Sequence, residues 1–213
     1  MIGVRLLDIG IERLSNMILD MAQISEKAVE IAVESYVEGV DKREEVFNLS
    51  QQLRWYQDEV AELAVEIIAR YQPVASDLRF IRSCMEISYG FSRFGRYAYD
   101  ITQVQTTFGS LKECDTAKIQ QVGETVKEMI RLSVKAFKER NVELANQLEK
   151  MDDEVDNAYV EHVSRALNDQ RTSKRCDMAT TLILRYLERI ADHATYIGES
   201  VHYIVTGERT PRK

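Results

Sequence analysis

Apolar residues recur at alternating steps of three and four along nearly the whole chain, a period that suits helices and does not suit strands. From Met1 to Gly39 the seam runs through Leu14, Ile18, Met21, Ser25, Ala28 and Ala32, and Gly39 offers the left-handed backbone on which helices end. The next seam, through Val46, Leu49, Leu53, Tyr56, Val60, Leu63 and Ile67, stops near Tyr71 because the ring of Pro73 cannot continue a helix. A third, opened by Ser76 or Asp77 as N-cap, carries Phe80, Cys84, Ile87, Phe91, Phe94, Ala98 and Ile101 to Phe108, where Gly109 and Ser110 break it.

The same pattern then restarts. One helix is predicted through Ile119, Val122, Val126, Met129, Ser133 and Ala136, and another through Leu144, Leu148, Met151, Val155 and Ala158. The last runs through Leu184, Leu187, Ala191, Ala194, Gly198 and Val201 to a stop at Gly207. Six helices in two sets of three read as an internal duplication: an all-α chain of two tandem antiparallel three-helix bundles, residues 1–109 and 110–213, each with a modest core of its own. A continuous solenoid would need three or more repeats with capping units.

Charge narrows the partners. With 28 Lys and Arg against 35 Asp and Glu, the net charge of -7 opposes nucleic acid, whose phosphates are held by clustered cations. The sequence has neither a long apolar run nor a secretory leader pattern, so the expected location is the cytoplasm. Cys84, Cys114 and Cys176 are odd in number and far apart, so they are expected to stay reduced thiols and to form neither a disulfide framework nor a zinc site.

Candidate chemistry sits in the second repeat. Asp152 and Asp156 are four apart on one helix, Glu188 and Asp192 four apart on the next, and each pair therefore shares a helix face. Each carboxylate follows a seam residue by one position, behind Met151, Val155, Leu187 and Ala191, so the pairs can meet across one flank of the bundle. Gathered carboxylates repel unless neutralised, and a hard cation with oxygen ligands is the usual remedy. The simpler reading is a solvated acidic face. Glu199 and His202 form the one Glu-x-x-His pattern, but a di-iron carboxylate enzyme needs a second copy on another helix, and none is present. No nucleophile motif or phosphate-cradling glycine loop offers a seat for catalysis, so the chain is read as a non-enzyme.

The hairpin Tyr71-Gln72-Pro73-Val74-Ala75-Ser76-Asp77-Leu78-Arg79 and the segment Leu187-Glu188-Arg189-Ile190-Ala191-Asp192-His193-Ala194 resemble the PhoU family of phosphate-uptake regulators. The resemblance implies a PhoU-like duplicated fold, with metal motifs retained in the second bundle at Asp152, Asp156, Glu188 and Asp192. It implies a divalent or trivalent ion there, iron or zinc, although oxygen ligands alone also suit Mg, Mn or Ca. It further implies negative regulation of phosphate uptake by a cytosolic adaptor. The implied partners are the phosphate ABC transporter's ATPase subunit and a sensor kinase, with only peripheral contact to membrane complexes and a homodimer as a further option.

The first repeat departs from that pattern. Its corresponding positions are Gln57, Ala61, Ser92 and Arg96, so the first bundle is expected to bind no metal. Arg96 is placed to pair with Asp58, Glu62 or Asp100 instead. The second repeat in turn lacks the Gln72 to Arg79 hairpin, with Asn168 to Lys174 in its place. Two other functions fit the same residues: a metal-dependent enzyme using the four carboxylates, and a metal-free helical scaffold or chaperone-like module. Trp55 with Tyr56, and Tyr97 with Tyr99, are aromatic pairs suited either to an interface or to packing between helices.

Overall fold

The computed structural model describes residues 5–169 and 173–209. It contains α1 (Leu6–Glu38), α2 (Arg43–Tyr71), α3 (Ala75–Phe108), α4 (Ala117–Glu139), α5 (Val142–Asn168) and α6 (Lys174–Thr206), with no strand among the described residues. The expected helix ends recur. Gly39 closes α1 at φ 67°, Gly207 closes α6 at φ 78°, and Gln72 closes α2 just before Pro73. The α4–α5 turn is only Arg140 and Asn141; the Asn141 side chain accepts from the backbone amides of Glu143 and Leu144 at 2.9 and 3.1 Å, capping α5.

The start of α3 differs from expectation. Val74 is the extended residue at which the chain enters the helix, so Ser76 and Asp77 lie inside its first turn and neither caps it. An N-cap must itself have non-helical backbone, and Val74, at φ -126° and ψ 163°, has it, whereas Ser76 and Asp77 lie within the helix. Asp77 lies 3.9 Å from the Arg5 guanidinium instead.

The helices α1, α2 and α3 pack against one another, as do α4, α5 and α6, giving the two three-helix bundles. The bundles do not bury separate cores. α3 packs along α6, α1 along α4, and the buried apolar residues form one cluster from Leu14 to Ile204. Seams on α3 and α6 wide enough to face two neighbours explain this: Phe80, Phe91, Phe94, Leu187, Ile190 and Ile197 are all buried. Polar groups reinforce the junction, where Arg131 on α4 meets Glu26 on α1 at 2.6 Å and Lys127 meets Glu30 at 3.5 Å.

The cysteines also differ from expectation. Cys114, in the connection before α4, is disulfide-bonded to Cys176 in the first turn of α6, while Cys84 is a buried free thiol. Packing of α4 against α6 brings together two residues 62 apart in sequence, a proximity that spacing along the chain does not reveal. Burial pushes the Cys84 thiol up to about 12, so it stays protonated and inert near neutral pH.

Candidate functional site

The long contact between α5 and α6 sets two helical faces opposite each other, and the i, i+4 spacing puts Asp152 and Asp156 on one and Asp192 on the other. These three line a cleft of about 140 Å³ together with Glu149, Glu199 and His202. The Glu-x-x-His pair therefore borders the same cleft as the paired aspartates. Glu188 lies one turn along α6 from Asp192, only 9% exposed, and is not part of the cleft lining.

Two arginines hold the α6 carboxylates along their own helix. Arg185 donates a hydrogen bond to Glu188 Oε1, and Arg189 donates to Asp192 Oδ2 at 3.2 Å. Glu188 Oε2 is buried without a hydrogen-bond partner, 4.0 Å from Arg189 Nε. Among the described residues no three His, Cys, Asp or Glu side chains converge as a ligand set. The four predicted ligands thus share a flank without gathering their oxygens at one point. Arg185 and Arg189 had not been weighed in the sequence, although each stands three residues before the carboxylate it binds.

Electrostatics link these groups across the helices. Burial raises the Glu188 carboxyl above the ordinary range, and the charges of Asp192 and Asp156 raise it further against the pull of Arg185 and Arg189. Asp192 is raised by burial and by Asp156, with Arg189 opposing. The negative charges of these carboxylates disfavour one another, a repulsion that Arg185 and Arg189 offset from the same helix, and the four do not converge as a ligand set among the described residues.

Beside the carboxylates, His193 is enclosed by Tyr89 and Tyr97 of α3 and Tyr196 of α6, at ring distances of 5.9, 6.0 and 5.4 Å. Burial, then the charges of Arg93 and Arg189, push its imidazole down to about 4, so it is neutral near pH 7. Tyr97 also stacks on Tyr186 at 6.4 Å, and Tyr99 packs against Phe47 at 5.3 Å. Both members of the Tyr97 and Tyr99 pair therefore join helices, whereas Trp55 remains 56% exposed beside a half-buried Tyr56. The tyrosine cluster was visible in the sequence only as single residues, because it is assembled across α3 and α6.

His162 is a buried structural group. Its Nε2 lies 3.1 Å from the Asp177 carbonyl, and its Nδ1 is 3.1 Å from Arg165. In the first bundle Gln57, Ser92 and Arg96 line the cleft between α2 and α3, and Arg96 donates to Asp100 at 3.2 Å, its partner among the three considered. Part of the Asn168 to Lys174 segment, residues 170–172, lies outside the described residues.

A family model described as the PhoU domain matches residues 18–104 and again residues 119–201, one match in each bundle. A protein of Clostridium acetobutylicum, named a phosphate-specific transport system accessory protein PhoU homolog, is 30% identical, with 96% of each chain covered. A homolog bearing the same accessory-protein name in Methanothermobacter thermautotrophicus is 28% identical over 93% of this chain and 94% of its own. The crystal structure of PhoU from Pseudomonas aeruginosa superposes with a TM-score of 0.85 at 28% identity, covering 94% of this chain and 99% of the other. A phosphate transport system regulatory protein PhoU from Streptococcus pneumoniae shares the fold, at TM-score 0.87 and 20% identity.

Proposed function

Because the chain belongs to the PhoU family, we propose that it is a non-catalytic adaptor that lowers phosphate uptake by binding the ATPase subunit of a phosphate ABC transporter. The observation that carries this reading is the match of both bundles to the PhoU domain, in a chain whose relatives are named accessory proteins of phosphate-specific transport. No described helix is long and apolar enough to cross a membrane, which suits peripheral contact with a membrane complex from the cytoplasmic side. A sensor kinase and a second copy of the chain are further proposed partners.

In the same reading, Asp152, Asp156, Glu188 and Asp192 hold a divalent or trivalent metal ion in the second bundle. Such an ion would supply a cross-link between α5 and α6 through oxygen ligands. Arg185 and Arg189 orient the α6 carboxylates, and the buried Glu188 Oε2, which has no hydrogen-bond partner, would gain one from a bound cation. The first bundle, with Arg96 in the slot of Asp192, is proposed to hold no metal.

The test is capture of a purified phosphate-transporter ATPase subunit on the immobilised full chain, read by interferometry. Saturable binding with reduced transport in reconstituted vesicles is the expected result. Absence of binding with and without added metal would overturn the adaptor reading.

A further inference from the structure

The two bundles carry equivalent clefts of opposite character. The α5–α6 cleft has Glu149, Asp152 and Asp192; at the matching positions the α2–α3 cleft has Arg54, Gln57 and Arg96. Arg93 also lines this second cleft, with Ser50 and Ser92, around a volume of about 520 Å³. Gly95 lets α2 and α3 close beneath it, since a Cβ there would stand 2.6 Å from Leu53 Cδ1 and 3.1 Å from Ser50 Cα.

The donors are only partly spent. Arg93 lies over the Tyr97 ring, 4.7 Å from its centroid, and donates through Nη2 to the Tyr97 hydroxyl at 2.7 Å, which fixes the guanidinium. Its Nε is buried without a hydrogen-bond partner. Among the described residues neither Arg54 nor Arg93 forms an ion pair with a carboxylate, and Arg96 gives one donor to Asp100. In a chain of net charge -7, this cleft gathers three arginines around one internal carboxylate, a local excess of positive charge that favours an anion.

We propose that the α2–α3 cleft binds a tetrahedral oxyanion of the phosphate class, held by Arg54, Arg93 and Arg96 with hydroxyl and amide donors from Ser92 and Gln57. Planar guanidinium forks match such oxygens and give charge-assisted hydrogen bonds. Asp100, which lines the same cleft, selects within the class. Hydrogen phosphate keeps a proton near neutral pH that a carboxylate accepts, whereas sulfate offers none and is repelled. The site stands apart from the adaptor reading, which partner capture tests separately.

The experiment is calorimetric titration of the full chain with sodium phosphate and, at matched ionic strength, sodium sulfate. The proposal expects one phosphate per chain, sulfate weaker by about tenfold or more, and loss of at least about tenfold in phosphate affinity in Arg54→Gln/Arg96→Gln. Both arginines are exposed, so that variant should melt as the parent does. Glu149→Gln in the other cleft should bind phosphate unchanged, and Asp100→Asn should narrow the gap between phosphate and sulfate. No binding up to about 10 mM phosphate, or equal affinity in parent and double variant, would overturn the site. Equal affinity for sulfate would overturn its assignment to phosphate.

Discussion

Cys114 is joined to Cys176, so the connection between the bundles is tied to the first turn of α6. Closing a loop across 62 residues removes unfolded-state entropy worth about 4 kcal/mol in the chain-entropy account. Reduction, or Cys176→Ser, should therefore lower the melting temperature by several degrees, measured by calorimetry with and without reductant. An unchanged melting temperature would show that the link contributes nothing to stability.

Gly95→Ala should destabilise the first bundle by about 0–2 kcal/mol net, because the added methyl meets Leu53 Cδ1 and the backbone of Ser50. The helical preference for alanine over glycine, about 1 kcal/mol, works against this and sets the lower end. Urea denaturation of the variant checks it, and a more stable variant would mean that α2 yields.

Asn141→Ala should cost about 1 kcal/mol through loss of the α5 cap. The same urea midpoint reads it, and Asn141→Asp, which keeps the accepting oxygen at a helix N-terminus, should restore the parent value.

The expected helices appeared because the three-and-four seams on α1 to α6 were long and their ends were marked by Gly39, Pro73 and Gly207. The i, i+4 spacing likewise placed Asp152, Asp156 and Asp192 on facing surfaces. Relations between helices were less legible. The Cys114–Cys176 bond, the shared core and the cage around His193 all depend on α6 packing against α4 and α3, which no local pattern records. Ser76 and Asp77 had capping chemistry without capping backbone, so residue type alone was misleading there.

Asp100 carries a pH signature. Burial raises its carboxyl above the ordinary range despite the charge and hydrogen bond of Arg96. A raised folded-state value means that the group's contribution to stability is fully present below its unfolded value and is lost as pH rises through the folded one. Asp100→Asn should therefore flatten the stability profile in the acidic range above the ordinary aspartate value. It should also raise stability at pH 7 by less than about 1 kcal/mol, since the pair is partly exposed. Denaturation midpoints at a series of pH values check this, and a steeper acidic slope in the variant would refute it.

The most direct measurement is elemental analysis by mass spectrometry of the full chain and of Glu188→Ala/Asp192→Ala, both prepared without chelator or affinity nickel. The account predicts stoichiometric metal in the parent and none in the variant, with Arg96→Ala in the first bundle leaving the metal content unchanged. Metal absent from the parent even after loading, or retained in full by the double variant, would contradict a carboxylate centre between α5 and α6.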